Sequence, residues 1–186
     1  MGTLSDWEII QEVRLGKHSL YGELVRRYQK RVYALGIKFF RNGEDARDFT
    51  QEVFLKAYER LSTFKGESGF YTWLFRVAYY LGVSWNRKRK PSVSLPEDFD
   101  IHSTEPGPES LHLQKKAVAA LERALEELPE RYRICLELYF SFGMTYQDIS
   151  GITDIPLGTV KSHVFRAKNK LREMLSGTEA EGPYDL

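Results

Sequence analysis

Apolar positions in this chain recur three and four residues apart almost throughout, and no stretch alternates strictly enough for a half-buried strand. A first short helix is predicted to run through Leu15, capped by Ser5 or Asp6. A longer one runs from about Ser19 to Phe40, with Leu20, Leu24, Tyr28, Val32 and Leu35 on one stripe. Arg41-Asn42-Gly43 ends it, with Gly43 expected to take the left-handed stop. The third spans about Glu44 to Leu61 and points Ala46, Phe49, Val53, Ala57 and Tyr58 inward. After a loop from Phe64 to Gly69, the fourth spans about Phe70 to Lys88, with Leu74, Val77, Ala78, Leu81 and Trp85 buried. The stripe then stops. From Pro91 to about Pro108 the chain holds Pro91, Pro96, Pro106 and Pro108 and no helical pattern. It resumes near Leu111. Ala117, Leu121, Ala124, Leu125 and Leu128 mark one helix, and Pro129 starts another with Ile134, Leu138 and Phe142 inward.

The segment from Thr145 to Lys168 is more specific. Thr145 can cap a short helix, and Asp148 can complete a capping box. Ile149 and Ile152 give that helix its apolar stripe. Asp154-Ile155-Pro156 breaks it, because proline disfavours helix in the residue before it and suits the first turn of the next. In the following helix Val160, Val164, Ala167, Leu171 and Met174 recur at alternating spacings of four and three. Its other face carries Thr159, Ser162, Phe165, Arg166 and Asn169, flanked by Lys161, Lys168, Lys170 and Arg172. A basic helix held by a shorter one is the helix-turn-helix device for the DNA major groove.

Composition sharpens this picture by its distribution. The 186 residues carry a formal net charge of only +1. Arg87-Lys88-Arg89-Lys90 is a cationic knot, and Glu97, Asp98, Asp100, Glu105 and Glu109 follow with no Lys or Arg from 91 to 114. The last helix is basic again, and the tail beyond it is acidic. The expected fold is therefore all-α: a helical domain over 1–90, an acidic flexible linker over 91–110, a helix-turn-helix domain over 111–176, and a tail over 177–186. The single cysteine, Cys135, reads as a buried free thiol, so no disulfide framework is expected. The four histidines lie far apart with no ligand spacing, which argues no metal and no cofactor. Neither a signal peptide nor a membrane span is expected, and the chain reads as cytoplasmic.

Two further faces invite partners. On the third helix Asp48, Gln51, Glu52 and Leu55 lie opposite the core, an apolar centre in a polar rim. On the fourth, Arg76, Tyr79, Tyr80, Val83 and Arg87 lie away from the core; exposed tyrosines beside arginines suit single-stranded DNA. The small polar loop from Lys65 to Phe70 is able to form a pocket for an extruded base.

Asp45-Ala-Arg-Asp-Phe-Thr-Gln-Glu-Val-Phe-Leu-Lys-Ala-Tyr58, Phe64-Lys-Gly-Glu-Ser-Gly-Phe-Tyr-Thr-Trp-Leu-Phe-Arg-Val-Ala78, Leu128-Pro-Glu-Arg131 and Ile155-Pro-Leu-Gly-Thr-Val-Lys-Ser162 occur in that order. From Asp6 to Leu175 the chain resembles the extracytoplasmic-function (group 4) sigma factors of the sigma-70 family, the subunits that give bacterial RNA polymerase its promoter choice. The resemblance implies a non-enzymatic factor. Asp45, Asp48, Gln51, Glu52 and Leu55 would bind core polymerase, whose β′ clamp helices and β flap are the implied partners. Lys65, Ser68, Phe70, Tyr71, Trp73, Arg76, Tyr79, Tyr80, Arg87 and Lys88 would act at the −10 element. Thr159, Lys161, Ser162, Phe165, Arg166 and Lys168 would act at the −35 element. The resemblance also implies an anti-sigma partner, no small-molecule substrate, and a linker lying in the channel later used by RNA. Tyr80 stands where many members carry Asn, Ser84 where many carry Asp, and Asp154 where glycine is common. The competing expectation is a stand-alone helix-turn-helix regulator whose N-terminal half senses a ligand or dimerises. An all-helical hydrolase would need clustered acids or histidines, and the acids here lie on faces and in the linker.

Overall fold

Ser5 accepts a hydrogen bond from the Glu8 backbone while the Glu8 carboxylate accepts one from the backbone of Ser5, a reciprocal cap that starts α1 (Asp6–Arg14). The structure, a computed structural model, describes residues 4–88 and 108–176, with the side chains of 4–87 and 116–176. The expected linker, apart from its last residues, and the acidic tail lie outside the described residues. The chain forms two compact units, the bulk of the first being α1 to α4 and of the second α5 to α8. Every regular element among the described residues is helical.

In the first unit a 3-10 turn, His18–Leu20, leads into α2 (Tyr21–Phe40), followed by α3 (Gly43–Glu59), a 3-10 turn Leu61–Thr63, and α4 (Phe70–Lys88). α2 packs along α3, and α4 rests on both. Ile9, Ile10, Leu24, Val32, Phe49, Val53, Leu74 and Phe75 are fully buried. Each such side chain is worth about 1.5–3 kcal/mol against exposure. The left-handed stop after α2 falls on Arg41 (φ 52), not on Gly43 as expected. Asn42 is already the N-cap of α3, its carbonyl Oδ1 accepting from the backbones of Glu44 and Asp45, so the turn has no later residue to spare. Tyr58 is exposed rather than inward, and Phe54 is buried instead. The Tyr58 hydroxyl meets His18 Nδ1 at 2.8 Å and its ring packs edge-on to Tyr21, which keeps the polar end near water. Val77, Leu81 and Trp85 are half-buried, while Phe70 and Phe75 take core places.

The second unit holds α5 (Pro108–Glu127), α6 (Glu130–Phe140), α7 (Tyr146–Thr153) and α8 (Leu157–Leu175), with α8 packed on α6 and α5. α5 begins three residues before Leu111, because proline suits a first helical turn, where its missing N–H costs nothing. Thr145 and Asp148 form the expected capping box. Asp154 takes a left-handed conformation (φ 57) and closes α7; a short polar side chain tolerates that region. Val160, Val164, Ala167 and Leu171 are buried on α8 as expected. The last core position is Leu175, not Met174, because a straight helix of 3.6 residues per turn drifts from the strict alternation of four and three. Phe142 lies past the end of α6 and is half-buried.

Candidate nucleic-acid interface

Burying one stripe of α8 turns the opposite side outward. Thr159, Lys161, Ser162, Phe165 and Arg166 are all exposed, Phe165 by 64%. An exposed phenylalanine between cations is unusual on a solvated face and suits contact with base edges and thymine methyls. The Ser162 hydroxyl donates to the Gly158 carbonyl at 2.9 Å. Lys168 is half-buried, its Nζ 5.5 Å from the ring centroid of Phe140. Arg166 donates from Nη1 to the Tyr132 hydroxyl on α6 at 3.4 Å. Asn169 accepts from Arg172 at 3.4 Å. Beneath this face Cys135 is buried, and its thiol is pushed up to about 11 by burial, so it stays protonated at neutral pH.

The expected −10 residues divide into a surface set and a packed set. Lys65 and Ser68 are exposed on the loop, and Arg76, Tyr80 and Arg87 along α4. The Arg76 guanidinium lies 5.8 Å from the Tyr80 ring centroid, and Tyr79 packs edge-on against Tyr80. Phe70 is only 3% exposed. Its ring lies among Tyr28, Phe64 and Trp73, so most of it is packed into the core, and it meets the surface only where it lines a cavity beside the loop. Tyr71 is half-buried, stacked on Tyr28 at 5.8 Å with the Arg31 guanidinium 4.9 Å from its ring. Trp73 and Tyr79 are half-buried, Trp73 against Phe64 and Tyr79 against Phe39. The Lys88 side chain lies outside the described ones.

Two residues of α1 that sequence reasoning passed over pack against this loop. Asp6 and Trp7 join Phe64, Lys65, Gly66, Ser68, Gly69 and Phe70 around a cavity of about 330 Å³. Gly66 has φ +76, and a Cβ there would come within 2.8 Å of the Trp7 ring, so only glycine brings the loop this close. Arg14 anchors the start of the loop. Its Nη2 donates to the carbonyls of Leu61 at 2.7 Å and Ser62 at 3.3 Å, and also to that of Phe64. Asp6 is held by Arg27 at 2.7 Å and by the Tyr28 hydroxyl. Burial and that carboxylate raise the Tyr28 phenol above its ordinary range. No local pattern in the sequence ties α1 to a loop some fifty residues on (Arg14 and Phe64 are 50 apart).

On α3 the four expected residues share one side. Asp48 and Gln51 are exposed, Glu52 is half-buried, and Leu55 is 59% exposed. Lys56 brackets the patch, 3.8 Å from Glu52 and 3.1 Å from Glu59. Asp45 is half-buried in the first turn, where a carboxylate favours the helix dipole. No cluster of His, Cys, Asp or Glu among the described residues is arranged to hold a metal.

Comparison with known proteins gives a consistent set of likenesses. Residues 24–91 match the family Sigma-70 region 2, and residues 119–171 the family Sigma-70, region 4. The chain is 34% identical over 178 residues to the ECF RNA polymerase sigma-E factor of Escherichia coli strain K12, covering 90% of this chain and 93% of that protein. It is 31% identical over 180 residues to the RNA polymerase sigma-H factor of Pseudomonas aeruginosa, covering 91% and 93%. Among solved structures it is similar to the sigma factor RpoE of Bartonella quintana, in complex with the anti-sigma factor NepR. There the TM-score is 0.63 at 25% identity, over 84% of this chain and 97% of that one. CnrH, in complex with the cytosolic domain of CnrY, shares the fold with a TM-score of 0.68 at 20% identity, over 90% and 95%.

Proposed function

The chain belongs to the extracytoplasmic-function sigma factors of the sigma-70 family, and on that premise we propose how its surfaces divide the work of carrying core RNA polymerase to promoters. It is not an enzyme; polymerase makes the bonds. The polar side of α3 docks on the clamp helices of the polymerase, with Leu55 at its centre and Asp48, Gln51 and Glu52 as rim. The outer face of α4 and the Phe64–Phe70 loop receive melted −10 DNA. The exposed face of α8 reads the −35 element: Ser162, Phe165 and Arg166 at base edges, Lys161 and Lys168 at phosphates. It works in the cytoplasm, where polymerase and DNA are. In keeping with that, no helix among the described residues is long and apolar enough to cross a membrane. An anti-sigma factor holds it inactive, as NepR is paired with the Bartonella quintana relative.

The observation that carries this reading is Leu55, 59% exposed on a polar helix face. A helix-turn-helix alone serves any regulator, but a sensing domain has no use for that patch, nor for a match to region 2 over 24–91. An unpaired charge buried at the centre of such a patch costs about 2 kcal/mol or more. Leu55→Arg is therefore expected to weaken capture of core polymerase by roughly 30-fold or more, and to abolish run-off transcription with unchanged circular dichroism. A folded variant that still binds core normally sinks the assignment. A gel shift of promoter DNA by the factor without core, as tight as with it, supports the stand-alone regulator instead.

A further inference from the structure

The guanidinium of Arg166, on the exposed face of α8, is tied to a different helix. Its Nη1 donates to the Tyr132 hydroxyl, 34 residues earlier on α6. Tyr132 is itself held tightly: it is 7% exposed, its ring lies 5.0 Å from that of His163, and the Arg131 guanidinium sits 5.2 Å over it. The phenol ring is thus held by its neighbours, while its oxygen lies 3.4 Å from Nη1 of a side chain that faces solvent. The hydrogen bond from Arg166, with the nearby charges of Arg131 and Arg166, holds the phenol below its ordinary pKa, and a phenol so placed suits the acceptor role.

We infer that Tyr132 is a positioning residue for −35 readout, holding the Arg166 guanidinium in the orientation that meets a guanine. The inference rests on the reading of Arg166 as a base contact. Its chemistry is simple. Arginine recognises guanine O6 and N7 through two N–H groups in a fixed plane. Nη1 carries two hydrogens, so the bond to Tyr132 leaves one there and both on Nη2 for the base. A long exposed side chain otherwise samples many rotamers and loses that freedom on binding. Pinning one corner of the fork selects the plane beforehand. The bland alternative is an arginine resting against a convenient hydroxyl, with no bearing on DNA. The two differ in what they predict at a single base pair.

The test is transcription by reconstituted holoenzyme from promoters randomised across the −35 element. Arg166→Ala should flatten the preference at one base pair by roughly five- to 150-fold. Tyr132→Phe removes one hydroxyl and should flatten the same position by about two- to tenfold. The other positions, the salt dependence and the melting temperature should stay as in the parent. In the Arg166→Ala background Tyr132→Phe should add nothing, because the group it orients is gone. An unchanged preference at that position, an equal loss on every sequence, or a full additive effect in the double variant overturns the inference. If Arg166→Ala flattens one position and Tyr132→Phe does not, the positioning role fails alone. If Arg166→Ala flattens none, the base-reading role fails and takes the positioning role with it.

Discussion

The family resemblance places Tyr80 where many members carry Asn. Its ring is 43% exposed, one turn from Arg76, whose guanidinium lies 5.8 Å from the ring centroid. A phenol in place of an Asn amide exchanges a base-edge partner for a broad face that stacks on any base. Such stacking is worth about 1–3 kcal/mol per base and tolerates sequence. The factor is expected to grip melted DNA tightly and to discriminate loosely at the upstream edge of the −10 element. Tyr80→Asn should weaken open-complex formation, sharpen one upstream base preference, and leave the melting temperature nearly unchanged. Unaltered transcription with a lower melting temperature would make Tyr80 a packing residue. The kind of chemistry at this residue was legible in the sequence, because its helical position placed it beside Arg76. Phe70 was not so legible. Its loop lines a cavity as its small polar residues suggested, and only the packing of Tyr28, Phe64 and Trp73 shows that most of the Phe70 ring belongs to the core.

Between elements, glycines set how closely the helices of the first unit approach. A Cβ on Gly36 of α2 would lie 2.9 Å from Phe49 and 3.1 Å from the Ala46 backbone of α3. Alanine there gains about 1 kcal/mol of helix propensity. Overpacking against a buried ring and a backbone atom costs about 1–3 kcal/mol, so the net effect of Gly36→Ala should be a destabilisation of up to about 2 kcal/mol. Gly22, near the start of the same helix, would meet only the Arg26 guanidinium, at 4.0 Å. Gly22→Ala should therefore raise stability by about 0.5–1 kcal/mol. Urea melts of the two variants check the opposite signs. The same scale explains the register misses. Tyr58 fits the α3 stripe by spacing, yet the hydroxyl pairs with His18 and leaves Phe54 to fill the core. Met174 fits the α8 stripe by arithmetic, yet the helix has rotated far enough by its end that Leu175 is inward.

At the scale of the whole molecule, charge is segregated while the sum is near zero. The net charge is +1, but the exposed face of α8 is cationic and the stretch after Lys90 is acidic. A polyelectrolyte partner attracts such a chain at one surface and is repelled at another. Glu97, Asp98 and Asp100 lie outside the described residues; the family resemblance implies a linker in the channel later used by RNA, and we propose that their charge there stands in for the transcript. Changing them together to Gln, Asn and Asn should reduce abortive and run-off synthesis several-fold while leaving holoenzyme assembly, measured by co-purification, within about twofold. Equal losses in both would make the segment a simple docking strap.

The helices of the described residues, the helix-turn-helix, its capping box and the exposure of Leu55 on a polar face were all determined by the sequence alone. Each follows from periodicity, from proline and cap chemistry over a few residues, or from one apolar residue on a polar face. These are short-range quantities, and a single chain displays them. What only the tertiary structure decided is long-range. Trp7 and Arg14 of α1 close on a loop some fifty residues away. Tyr132 of α6 reaches Arg166 of α8. Phe70 gives its ring to the core. Such contacts depend on which stripes meet when the helices pack, and no spacing along the chain encodes that meeting.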